Sequence, residues 1–149
     1  MSFGDAGLSR SINLLWQRRK RACAGGGSNY GLPPMSELIY KICPKTLWQQ
    51  AETAGRFDGA PVDLADGFIH FSTASQLRET AARHFAGQSD LFLITVRAGA
   101  LGEALRWEVS RGGALFPHLY GVLPMDAAQS AEPLPLGTDG AHVFPSYIP

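Results

Sequence analysis

Two capping-box signatures constrain this chain more than any other feature. Thr46-Leu-Trp-Gln49 and Thr73-Ala-Ser-Gln76 each follow closely on a short apolar run, Leu38–Ile42 and Gly67–Phe71. In such a box the threonine hydroxyl serves an orphan amide of the first helical turn and the glutamine reaches back to the cap residue. The first helix is expected to run to about Ala54, with Gly55 in the left-handed closing position, and the second to about Ala86, closed by Gly87. Beyond them the chain reads as strands: Leu91–Val96, then Leu105–Val109 and Leu115–Leu123 around the turn Ser110-Arg-Gly-Gly113, then Leu134–Leu136 and Ala141–Phe144 around Thr138-Asp-Gly140. Strand, helix, strand, helix and then strands alone is the order of a single α+β domain, not of a doubly wound sheet. Arg56–Asp66, rich in Gly, Pro and Asp, is expected to be an exposed loop and a candidate lid.

Charge divides the chain. Five of the 13 basic residues (Arg10, Arg18, Arg19, Lys20, Arg21) precede Met35 and face only Asp5, so that segment carries +4, while the remaining eight basic and twelve acidic residues leave −4. The segment ends in Ala24-Gly-Gly-Gly-Ser28 and Gly31-Leu-Pro-Pro34, a composition that cannot bury enough apolar surface to offset its ordering entropy. Residues 1–34 are therefore expected to be a disordered leader, with Met35 a second plausible start and 35–149 the folded domain. A mildly acidic domain is a poor partner for duplex nucleic acid, whose nonspecific affinity comes from Lys and Arg contacts to phosphate.

The two cysteines, Cys23 and Cys43, are too few for a disulfide framework or a zinc site, and no apolar run approaches the roughly 20 residues that span a bilayer. The expectation is a cytoplasmic domain without membrane or metal. Gly25–Gly27 has neither a preceding strand nor a following Lys-Ser or Lys-Thr, so it is not a phosphate loop.

Strand parity selects the candidate site. With Ile69 and Phe71 turned to the core, His70 and Ser72 share the other face, at a strand-to-helix junction where an anionic group is favoured. Thr73 is best read as a helix cap, while His70 serves equally well as a structural histidine or as a hydrogen-bond donor to a ligand. Glu108, an acid inside a strand, is expected opposite Pro117 or His118, and His118 and Tyr120 fall on one side. These residues make either a polar wall of a ligand cleft or a cross-strand Glu–His pair on a wet sheet face. His84 is read as complementing its helix dipole, and Cys43 as a small buried apolar residue.

Gly67-Phe-Ile-His-Phe-Ser-Thr73, Trp107-Glu108 and Phe116-Pro-His-Leu-Tyr-Gly121, together with Ile39-Tyr-Lys-Ile42, resemble the small bacterial domain-of-unknown-function family 952. The resemblance covers residues 35–149. It implies a compact ADP-ribosyltransferase-like fold, two packed, mostly antiparallel sheets with two helices inserted early, holding an NAD or ADP-ribose type of ligand between them. In active relatives of that fold a first-strand Arg or His grips the ribose, a Ser- or Tyr-containing second motif supports the nicotinamide side, and a late glutamate acts on the ribose. By position His70-Phe-Ser72 resembles the second motif and Glu108 the glutamate, and the first strand offers Tyr40 and Lys41 instead. The resemblance thus implies Glu108 and His70 as catalytic candidates and Ser72, Thr73, His118, Tyr120 and Tyr40 as ligand-binding ones. The functions that follow are ADP-ribosyl transfer or NAD hydrolysis, a noncatalytic nucleotide or small-molecule module, or a structural protein.

Overall fold

The computed structural model describes residues 37–149; the leader expected over residues 1–34 and the start at Met35 lie outside the described residues. The chain opens on β1 (Leu38–Pro44), whose five central residues are all buried, the pattern of a strand covered on both faces. It passes without a loop into α1 (Lys45–Ala54), then β2 (Arg56–Phe57), α2 (Pro61–Asp66), β3 (Ile69–His70), one 3-10 turn (Ala74–Gln76) and α3 (Leu77–His84). The rest is β4 (Leu91–Arg97), β5 (Leu105–Val109), β6 (Leu115–Leu119), β7 (Leu123–Pro124) and β8 (Ala128–Leu134). Strands pair in the orders β1-β4-β8, β2-β7 and β3-β6-β5, every pairing antiparallel. The first and third sheets are stitched together where the Tyr40 and Ser72 backbones exchange two 2.8 Å hydrogen bonds.

The main core lies between these sheets. Ile39, Cys43, Ile94 and Val96 meet Ile69, Phe71, Leu105 and Leu119, with Trp48 of α1 and Phe57 of β2 closing one end. The opposite face of β1 and β4 (Tyr40, Ile42, Leu91, Leu93) packs on Leu77 and Ala81 of α3 and on Ile148. Cys43 is fully buried, and burial pushes its thiol up to about 11, as suits an apolar filler and not a nucleophile.

A small α+β domain with mostly antiparallel sheets is thus correct, with β4 central to its sheet, but several local expectations fail, among them a second helix that ends at His84 with Phe85, not Gly87, as its cap, and a hairpin expected around Thr138–Gly140 that is reduced to one Leu136–His142 bridge. Among the described residues three sheets replace the expected two. The described residues also hold three α-helices, because the segment expected to be a loop and lid instead forms β2 and α2: Pro61 presets the first helical turn, and Asp63 two residues on accepts from the Ala60 N–H at 2.7 Å. Thr46 caps nothing; α1 begins at Lys45 because the Asp90 carbonyl already accepts the Lys45 N–H at 2.8 Å. The strand Ala128–Leu134 escapes prediction because it is polar and contains Pro133, which is tolerated there because β8 is an edge strand. Gly55 does close α1 in the left-handed region, φ 81°.

Candidate functional site

The site is a consequence of register on the third sheet. Ile69 pairs with Leu119 and His70 with His118, so alternation sends the leucine and isoleucine inward and both imidazoles to the same outer face. Arg106 lies opposite His118 and Glu108 opposite Phe116, on that same face. Glu108 was expected opposite Pro117 or His118. The turn closes with the Ser110 N–H on the Ala114 carbonyl, which sets Val109 against Leu115 and moves the register. Parity survives the shift. The Glu108 carboxylate still reaches His118 along the diagonal, Oε1 to Nδ1 at 2.8 Å, and accepts from the Tyr120 hydroxyl at 2.7 Å.

Phe68 sits at the centre of this face, its ring 4.2 Å from His118 in a stacked arrangement, 4.6 Å from His70 and 5.2 Å from Tyr120. The two imidazole centroids are 5.5 Å apart. The Arg106 guanidinium lies over the Tyr120 ring at 4.8 Å, a cation–π arrangement. The structure therefore brings His70, Glu108, His118 and Tyr120 into one cluster.

Behind His70 is a buried hub absent from the sequence-derived candidates. Asp63 of α2 is only 2 % exposed. Its Oδ1 faces His70 Nδ1 at 2.6 Å and accepts the His70 backbone N–H at 3.1 Å, while Oδ2 lies 2.9 Å from the Lys41 ammonium. Lys41 also donates to the His70 carbonyl at 3.0 Å. Burial raises the Asp63 carboxyl, but the His70 hydrogen bond, the Lys41 charge and the amides of His70 and Ala60 outweigh it and hold the group down at about 2. Glu108 follows the same pattern more weakly. Burial raises it, and bonds from His118 and Tyr120 with the charges of His118 and Arg106 bring it below the ordinary carboxylate value. The signal for the hub was a lysine inside a strand buried on both faces, since a buried ammonium requires a carboxylate partner.

Lys41, His70 and His118 border a cleft of about 490 Å³ between β1, α2, α3 and the hairpin of β5 and β6. Tyr40, Lys41 and Ser72 line it, as do Asp66, His70, Thr80, His84, Phe116 and His118. Three of the chain's four histidines are thus on this cleft, including His84, which sequence reasoning assigned to the dipole of α3. Ser72 is buried, with Oγ 2.9 Å from Thr80 Oγ1, and Tyr40 is buried too, a burial that raises its phenol. Glu108 and Tyr120 do not themselves line the cleft; they hold His118, which does. Thr73 stands apart from it, its backbone N–H bonded to Gln76 Oε1 at 3.0 Å at the start of the 3-10 turn. The fourth histidine, His142, lies 2.9 Å through Nε2 from the Gln88 carbonyl. Among the described residues no group of three or more His, Cys, Asp or Glu side chains is placed to hold a metal, and no helix is long and apolar enough to cross a membrane.

Fold and site define a small antiparallel α+β domain with a histidine-lined cleft. The family model described as protein of unknown function, DUF952, matches residues 42–131, and the chain belongs to that family. It is similar to the crystal structure of protein CC0527 from Caulobacter crescentus, at 51% identity and TM-score 0.69, over 71% of this chain and 93% of that one. The solution structure of the same Caulobacter crescentus protein aligns at 52% identity and TM-score 0.64, over 70% of this chain and 90% of that one. No curated protein matches the chain.

Proposed function

We propose that the cleft binds a nucleotide of the NAD or ADP-ribose type. The observation that carries this reading is the convergence of His70, His84 and His118 on one cleft of about 490 Å³, a volume typical of small-molecule sites. Imidazole N–H groups can donate to phosphate oxygens, and Phe116 and Tyr40 in the walls suit a flat base. The resemblance to the ADP-ribosyltransferase-like fold points the same way. That fold's first-strand Arg or His has no counterpart here, where β1 offers Tyr40 and Lys41 and Lys41 is committed to Asp63.

Binding without turnover is the form the geometry supports best, since Glu108 braces His118 and does not line the cleft. A second reading, ADP-ribosyl transfer or NAD hydrolysis, draws on the Glu108 carboxylate being held ionised while its side chain stays 37% exposed. In that chemistry the nicotinamide–ribose bond breaks through an oxocarbenium-like state that a carboxylate stabilises. Calorimetric titration with ADP-ribose, paired with a nicotinamide-release assay on wild type and Glu108→Gln, tests both. Binding by wild type and variant within a few-fold, without nicotinamide release, supports the module. Release that falls on the order of 100-fold in Glu108→Gln supports the enzyme. No binding at millimolar ligand removes the nucleotide reading altogether.

A further inference from the structure

The two nitrogens of His70 have unequal partners. Nδ1 is fixed by Asp63, whose side chain has no exposed surface and is itself held by Lys41 and two backbone amides. Nε2 lies 2.9 Å from Asp66 Oδ2, and that carboxylate is 48% exposed, at the last residue of α2 and next to Gly67 at φ 87°. Exchanging the Nδ1 bond would strip a buried carboxylate of one of its donors, whereas an exposed ion pair contributes only about 0–1 kcal/mol. His70 and Asp66 both line the cleft. A carboxylate only accepts, so the Nε2 that meets Asp66 is an N–H donor directed at the cleft, and the group now meeting it is an oxyanion held weakly.

We propose that His70 Nε2 is an anion subsite for a phosphate or pyrophosphate group, and that Asp66 is an internal competitor which the incoming oxyanion displaces. This rests on the cleft being a ligand site, as above, but not on the ligand being a nucleotide. Asp66 then sets specificity. A neutral ligand gains nothing by displacing it, while a phosphate replaces one anionic acceptor at Nε2 by another with more oxygens and more charge. Asp63 and Lys41 act as positioning residues, because they hold the ring so that Nε2 and not Nδ1 faces the cleft.

The probes are inorganic phosphate, pyrophosphate and ADP-ribose, titrated into the full chain by calorimetry and by the imidazole signals of His70, His84 and His118 in NMR. Asp66→Ala is expected to tighten phosphate and pyrophosphate about two- to fivefold, the range that corresponds to removing an exposed ion pair of up to about 1 kcal/mol. Glu52→Ala removes the same charge from α1 on another face and is expected to change nothing. His70→Gln is expected to abolish the tightening given by Asp66→Ala when the two are combined. Unchanged or weaker phosphate binding in Asp66→Ala overturns the proposal, as does equal tightening in Glu52→Ala. Phosphate binding enhanced by Asp66→Ala with no ADP-ribose binding keeps the subsite and removes the nucleotide reading. ADP-ribose binding indifferent to Asp66→Ala does the reverse.

Discussion

The site contains one chemical motif twice, in two different settings. At one end His70 Nδ1 meets Asp63 at 2.6 Å, and at the other His118 Nδ1 meets Glu108 at 2.8 Å. The Asp63 side chain has no exposed surface, whereas that of Glu108 is 37% exposed. The first pair is part of the fold: Asp63 joins β1 through Lys41, the start of α2 through Ala60 and β3 through two bonds to His70. The second is a brace on a sheet face, where His118 is buried but water reaches the Glu108 carboxylate. Matching hydrogen-bond geometry therefore conceals very different energies, and burial decides which pair the domain depends on.

Breaking the buried pair should have the largest effect. Asp63→Ala leaves the Lys41 ammonium without its counterion, a loss of about 3–5 kcal/mol in a buried pair. The melting temperature is expected to fall by more than about 10 °C. A drop equivalent to less than about 1 kcal/mol would erase the contrast between the two pairs.

Acid should act next, and through Asp63 first. Its carboxyl is lowered from 3.8 to about 2, so its contribution is complete above pH 3.8 and is lost as pH falls through about 2. For this buried group the shift amounts to about 2 kcal/mol. Urea midpoints of wild type should decline between pH 4 and 2 more steeply than those of Asp63→Asn, provided the variant folds well enough to give a transition. Parallel declines would assign the acid limb to other carboxylates.

Neutralising the half-exposed Glu108 should do least. Glu108→Gln keeps an oxygen for Tyr120 or His118 and is expected to shift unfolding by less than about 1 kcal/mol. A larger shift, read from the urea midpoint at unchanged slope, would place Glu108 among the groups that hold the fold and make its activity assays harder to interpret.

Much of this was readable along the chain, where the signal was local. Leu91–Val96 announced itself by apolar, β-branched residues, and Leu105–Val109 and the start of the second hairpin strand by flanking the turn Ser110-Arg-Gly-Gly113. Alternation in Phe68–Ser72 put His70 on the face opposite Ile69 and Phe71. Of the two partners expected for Glu108, His118 lies two residues from the observed Phe116 and keeps Glu108 on the face of His118 and Tyr120, whereas Pro117 lies one residue away and would have turned it to the other face. By contrast, α2 was hidden within a Gly, Pro and Asp composition that ordinarily means loop, and Pro61 with Asp63 at the helix start went unread.

What the sequence by itself determined is those elements that carry a local apolar or turn signal and the face each side chain occupies within them, since both follow from steric and hydrogen-bonding preferences within a few residues. Tertiary structure alone decided that Lys41, Asp63 and His70, spread over 30 residues, would become one buried hub, and that His84 would join His70 and His118 on a common cleft. The physical reason is that a charge in a strand is tolerable only if folding delivers its counterion. Which carboxylate arrives is set by how α2 docks on β1 and β3, not by any spacing along the chain.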